Sequence, residues 1–307
     1  MWGRLDIWEP DPAPEATLEL VHTAEHVRTV RALWDRGGGW LDPDTHESPG
    51  SWEAALRAVQ ACTDAVDRVA AGTLANVLCL VRPPGHHATP TRAMGFCLFN
   101  NVAIAAEWLI RNRRAERVAI LDYDVHHGNG TQDAFYERPD VLYVSTHQYP
   151  FYPGTGHWTE NGSGPGAGYT LNVSLPAGSG DAVYAAVLQR VVEPAVRRYR
   201  PEMILVSLGF DAFWGDPLAM LRLSIAGGYV PLLRSALALA ADLCGGRLVV
   251  ALEGGYNLQA LAHGADAVCR LLLGEEPSAD PLGPSPDQLP VAAVEPLLSS
   301  VQQLHGL

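Results

Sequence analysis

The chain is short of several things, and each shortage narrows its class. Its five cysteines (Cys62, Cys79, Cys97, Cys244 and Cys269) are odd in number, scattered and free of any C-x-x-C pair. They read as reduced thiols of a cytoplasmic protein, not as a disulfide framework. Basic charge is scarce: 21 Lys and Arg stand against 34 Asp and Glu, for a net charge of −13. That balance argues against a nucleic-acid surface, which needs a basic face. It would steer cationic partners toward the protein, although an acidic surface serves solubility equally well. No apolar run approaches the roughly 20 residues that cross a bilayer, so no membrane partner is expected. The opening Met1-Trp-Gly-Arg-Leu-Asp6 lacks the basic and then apolar stretches of a secretory signal. There is no internal repeat.

What is present suffices for a large core. At 307 residues and 48% hydrophobic, the chain is expected to be one α/β unit over residues 1–307, with a Pro/Ser/Asp-rich tail from Gly274. Its most informative stretch is Val118-Ala-Ile-Leu-Asp-Tyr-Asp-Val-His-His-Gly-Asn-Gly-Thr-Gln132. An apolar, β-branched run leads into acids and imidazoles and then breaks at two glycines. In an extended strand side chains alternate, so Asp122, Asp124 and His126 project to one face. Carboxylate oxygens and an imidazole converging at a strand end suit a divalent metal. A strand that merely ends in a polar loop accounts for one acid, but not for five ionisable side chains in the six positions from Asp122 to His127. By the same alternation His127 points away and reads as a packing residue.

Taken in order, residues 4–9 read as a short strand and Glu19–Trp34 as a helix, with His22 and His26 as surface or interface histidines. Gly37-Gly-Gly39 ends that helix, residues 40–50 read as an irregular loop, and Ser51 as the N-cap of a helix to Ala71. Strands are expected at Asn76–Val81, in the Val118 stretch, and at Val141–Thr146, Tyr169–Ser174, Met203–Asp211 and Leu248–Leu252. Helices are expected at Val102–Arg113, Ala182–Arg198, Ile225–Leu243 and Val294–Gln303. Strands alternating with helices predict a three-layer α/β/α domain with a mostly parallel sheet. Ligands of such sheets lie beyond the carboxyl ends of the strands. His86-His87, Asp122–His126, Asp211 and Tyr256 all fall at such ends.

Three protein ligands with an open position mark a catalytic metal site, and Asp124, His126 and Asp211 supply two carboxylates and an imidazole. Zn²⁺ there would lower the pKa of its water to about 7 and polarise a carbonyl; Fe²⁺ suits the same donors. His86 and His87 can move the protons that amide hydrolysis requires, with Asp122 orienting one of them. Tyr256, on a double-glycine turn, can donate to an oxyanion. Alone, Tyr256 would pass for a packed tyrosine and His86-His87 for a satisfied polar pair; beside the acidic strand end those readings weaken.

Arg82-Pro-Pro-Gly-His-His-Ala88, Gly95-Phe-Cys-Leu-Phe-Asn-Asn101, Asp122-Tyr-Asp-Val-His-His-Gly-Asn-Gly-Thr-Gln132 and Glu253-Gly-Gly-Tyr256 resemble the zinc-dependent histone deacetylase superfamily. Asn129 and Tyr152-Pro-Gly-Thr-Gly156 resemble its class II branch and the bacterial amidohydrolases, and the match runs from about Leu18 to Leu272. The resemblance implies an arginase/deacetylase-like fold, zinc on Asp124, His126 and Asp211, and His87 as general base and acid. His86 becomes the electrostatic partner linked to Asp122, Asn129 the neighbour of His87, and Tyr256 the group that polarises the acyl carbonyl, next to Gly255. Phe96 and Tyr152 wall an acyl-lysine channel, the Gly95 carbonyl receives the substrate N–H, and Asp44 (or Asp42) grips substrate backbone. It also implies a structural K⁺ at Asp122, Asp124, His126, Ser145 and Thr146, and a second monovalent ion near Phe135, Arg138, Val141 and Tyr169.

Two departures accompany the resemblance. Relatives begin with a further strand and a His-Pro-Glu-type loop, so one wall of the site is expected to be missing. Ala219-Met-Leu-Arg-Leu223 also replaces the Gly-Gly stretch that usually follows Asp-Pro-Leu. Polyamine-specific relatives carry a glutamate where Leu218 stands, which favours an acyl-lysine peptide or protein as substrate over a small acylated amine. The rival readings are an acetylpolyamine or other small-molecule amide deacetylase, and a non-catalytic protein that keeps the metal site. A homo-oligomer is compatible with the sequence.

Overall fold

A computed structural model describes residues 2–307. Eight strands follow in chain order: β1 (Gly39–Asp42), β2 (Thr45–Glu47), β3 (Asn76–Cys79), β4 (Val118–Asp122), β5 (Val141–Gln148), β6 (Thr170–Leu175), β7 (Met203–Leu208) and β8 (Leu248–Leu252). The last six form one parallel sheet in the order β3-β8-β7-β4-β5-β6, the α/β architecture expected from the alternating pattern. β4, β5, β7 and β8 are buried along their whole length, and β4, β7 and β8 accordingly read as nearly continuous apolar runs.

Helices α1 (Glu15–Leu18), α2 (Ala24–Asp35), α3 (Ser51–Ala70), α4 (Asn101–Arg111) and α5 (Asn129–Phe135) precede β5. Between β6 and β7 come α6 (Asp181–Val187) and α7 (Glu193–Tyr199), between β7 and β8 comes α8 (Val230–Cys244), and after β8 come α9 (Leu258–Leu272) and α10 (Glu295–His305). Strand alternation splits the core between them. Val118 and Ile120 pack with Val66, Val69 and Leu109 of α3 and α4 on one face. Ala119 and Leu121 pack with Tyr184, Val196, Leu233, Val268 and Leu298 on the other. A third cluster joins Val27, Val30, Trp52, Leu56, Phe99 and Ile104.

Several local expectations are corrected. Residues 4–9 form no strand: a single helical turn at Trp2–Arg4 leads into irregular backbone. The helix expected from Glu19 begins at Ala24, because the Thr23 hydroxyl accepts the His26 amide at 3.2 Å and caps it there. His22 and His26 are buried, not superficial. Residues 39–47 form the antiparallel β1–β2 hairpin within what read as a loop. Ser51 is the first helical residue, preceded by Gly50 at φ +95°, so the cap position belongs to glycine. Among the described residues no helix is long and apolar enough to cross a membrane.

Candidate metal and hydrolytic site

Parallel register brings the chemically loaded strand ends together. Asp122 at the end of β4 lies beside Ser207 of β7 and Ser145 of β5, and β7 leads directly to Asp211. Beyond β4, ligand atoms of Asp124, His126 and Asp211 lie within 4.8 Å of one another. His126 Nδ1 is 3.0 Å from Asp124 Oδ1 and 3.3 Å from Asp211 Oδ2. The outward oxygens are committed to backbone: Asp124 Oδ2 accepts the Gly254 amide at 2.8 Å, and Asp211 Oδ1 the Val125 amide at 3.0 Å. Asp211 Oδ2 is buried with no hydrogen-bond partner. Burial and the charge of Asp124 push the Asp211 carboxyl up to about 6. A divalent cation answers both the orphaned oxygen and the crowded carboxylates, so these residues fit one. Glycine lets the walls close in, since a Cβ at Gly209 or Gly254 would strike both carboxylates.

The two histidines enter from the loop after β3. His86 Nδ1 lies 3.1 Å from Asp122 Oδ2, which also accepts the Tyr143 hydroxyl at 3.0 Å. The loop is held from the next strand: Glu253, just past β8, accepts the Gly85 and His86 amides at 2.7 and 3.1 Å and the Ser207 hydroxyl at 2.9 Å. His87 Nδ1 lies 2.9 Å from Asn129 Oδ1. An amide oxygen only accepts, so Nδ1 carries the proton and Nε2 is left with a lone pair. Burial opposes charge on His86, but Asp122, Asp124 and Glu253 outweigh it and hold its pKa well above the usual range. Burial, helped by the charges of His86 and His126, drives His87 well below it. Adjacent rings, 4.0 Å apart, are thereby shifted in opposite directions.

Tyr256 stands after Gly254 and Gly255, the latter at φ +129°. Burial, with Asp124 and Asp211, raises its phenol pKa, so the group remains a donor. Its ring meets Phe96 edge-on at 6.1 Å, and Tyr152 meets His87 edge-on at 5.1 Å. Phe96 sits in the left-handed region (φ 65°), held by its amide's 3.0 Å bond to Thr45 Oγ1. Asp44 Oδ1 takes the neighbouring Gly95 amide at 3.1 Å, while the Gly95 carbonyl accepts the Cys97 thiol at 3.3 Å. The β1–β2 hairpin thus reaches the site by clamping the turn that bears Phe96. Leu218 is half exposed. His127 bonds Thr155 Oγ1 and Gln132 Oε1 at 2.8 and 3.0 Å, on the side away from the acids.

Of the residues named for monovalent ions, Ser145 Oγ lies 2.8 Å from His147 Nδ1, and Thr146 Oγ1 is buried without a partner. Arg138 is engaged by Asp140 and Glu107. Glu253, Tyr143 and Asp216 were not singled out from the sequence. Only Glu253 had a usable signal, an acid at the end of an apolar run.

The family model for the histone deacetylase domain matches residues 1–272. The chain belongs to the histone deacetylase family. It is 43% identical over 256 residues to a probable deacetylase of Archaeoglobus fulgidus, covering 83% of this chain and 70% of that protein. Against a histone deacetylase-like amidohydrolase of Pseudomonas aeruginosa it is 44% identical over 260 residues, or 83% of this chain and 67% of the relative. The crystal structure of the HDA15 HD domain superimposes with a TM-score of 0.88 at 38% identity, covering 98% of this chain and 83% of that one. Within this family of hydrolases, the buried Asp124–His126–Asp211 group is this chain's candidate metal site.

Proposed function

We propose that the protein is a zinc-dependent amidohydrolase that removes acetyl or other short acyl groups from lysine side chains. One observation carries the reading: three metal-type ligands converge beside a histidine pair whose Nδ1 atoms meet a carboxylate and an amide oxygen, with a half-buried tyrosine nearby. Bound to Asp124, His126 and Asp211, the metal would supply a water of lowered pKa and polarise the acyl carbonyl. His87 Nε2 takes the proton from the attacking water, its far nitrogen anchored by Asn129. His86, held by Asp122, keeps a positive charge beside the developing anion. The Tyr256 hydroxyl donates to the carbonyl oxygen as negative charge grows there. His87 then returns its proton to the departing amine. Phe96 and Tyr152 supply flat apolar walls suited to a lysine stem. A structural K⁺ near Asp122 and Ser145 belongs to the same proposal.

Half-exposed Leu218 offers no anion to a distant ammonium, which favours acyl-lysine over acetylpolyamine. The test is hydrolysis of a fluorogenic acetyl-lysine peptide by zinc-loaded protein, beside N-acetylputrescine, with and without a hydroxamate chelator. Hydroxamate-sensitive turnover of the peptide is expected. No turnover at any acyl length, with zinc bound, would sink the enzyme reading; preference for N-acetylputrescine would reassign the substrate.

A further inference from the structure

Tyr256 poses a mechanical problem. It follows two glycines, whose backbones no side chain restrains, yet its hydroxyl has to meet an oxyanion within hydrogen-bond reach. On one side the turn is tied to the metal group, through the Gly254 amide and Asp124 Oδ2. On the other it is tied to Asp216, in the turn that follows Asp211. Asp216 Oδ2 accepts the Tyr256 amide at 2.8 Å and the Asn257 amide at 3.2 Å. Asp216 Oδ1 accepts the amide of Leu218 at 2.9 Å.

The clamp is reciprocal. Asn257 Nδ2 donates to the Gly215 carbonyl at 2.9 Å, while Asn257 Oδ1 caps α9 through the Gln259 and Ala260 amides at 3.1 Å each. Asp216 is 8% exposed, and among the described residues it forms no ion pair. Its carboxylate is spent on three backbone amides, one of them Tyr256's own. The same side chain therefore sets both the tyrosine and the half-exposed rim residue Leu218.

We infer that Asp216 is a positioning residue for the reaction: it fixes the Tyr256 hydroxyl over the acyl carbonyl and couples that placement to the rim at Leu218. The inference rests on the amidohydrolase reading. A residue that only holds its turn together would lower stability without a selective loss of turnover.

The experiment places Asp216→Ala and Asp216→Asn in the unaltered and Tyr256→Phe backgrounds of the full zinc-loaded chain, reading kcat, KM, zinc content and Tm. In the unaltered background Asp216→Ala is expected to lower kcat at least ~10-fold, with KM within about twofold and zinc retained. In the Tyr256→Phe background the same change should lower kcat less than about twofold, because no hydroxyl is left to misplace. Asp216→Asn keeps one acceptor oxygen and should recover most of the loss. If Asp216→Ala does not fold, Asp216→Asn carries the same comparison, with a loss of about threefold confined to the Tyr256 background. Equal losses in both backgrounds, or unchanged kcat in folded, zinc-loaded variants, would overturn this inference alone. An inactive unaltered chain would overturn the amidohydrolase reading and this inference with it.

Discussion

Among the described residues three pairs of neighbouring imidazoles are buried, His22–His26, His127–His147 and His86–His87, and only the last lies against carboxylates. The rings of His22 and His26 lie 4.9 Å apart, those of His86 and His87 4.0 Å apart, and all four residues are buried. His22 Nδ1 donates to the Thr89 carbonyl and its Nε2 accepts the Asn100 amide, both at 2.9 Å. His26 Nε2 donates to the Leu98 carbonyl at 2.9 Å, and both rings meet Phe99 edge-on. Among the described residues no carboxylate lies within 4 Å of this pair. Burial, and then His26, lowers His22 to about 3, which makes it a neutral strut for the segment between His87 and α4. At His86 burial is no weaker, but three carboxylates reverse the outcome. Burial alone keeps a histidine neutral, whereas acids packed against a buried imidazole favour its charged form.

The comparison can be broken at several points. The largest expected effect is His87→Ala, which should lower kcat by about 10²–10⁴-fold with zinc retained. His22→Ala should leave kcat per folded, zinc-loaded molecule within about twofold, since that ring moves no proton. Steady-state kinetics with metal analysis checks both, and equal losses would erase the distinction. Next comes Asp122→Asn, which removes the charge that holds His86 protonated and should cost about 10–100-fold in activity. An unchanged rate would show that His86 needs no acid.

The last effect is on stability and leaves the rate untouched. His22 is depressed from 6.5 to about 3, so its contribution is complete above about 6.5 and is lost as the pH falls toward 3. That loss is worth roughly 3–5 kcal/mol from the width of the shift. Urea unfolding of the unaltered chain and of His22→Gln between pH 7 and 4 should show a steeper fall for the former. Parallel curves would mean that His22 does not titrate on unfolding.

Legibility followed the range of the interaction. The Val118 stretch and the strand ends could be read because a buried parallel strand needs an unbroken apolar run, and the polar residues after it show where it stops. Helix α9 was legible but not read: its apolar stripe is pronounced and Asn257 caps it. The burial of His22 and His26 was hidden. Their partners are carbonyls and an amide of residues 89–100, and backbone groups carry no signature in side-chain sequence. Asp216 was obscured in the same way, since it bonds only amides.

The sequence by itself determined the identity of the chemical groups and their local alternation: Asp122, Asp124 and His126 share a face because a strand repeats every two residues. Tertiary structure alone decided which distant groups complete them. Asp211 reaches His126 because β7 pairs with β4, and Glu253 reaches His86 because β8 lies between β3 and β7. Strand order is chosen by burying two apolar faces under separate helix layers, a property of the whole chain that no short window of sequence contains.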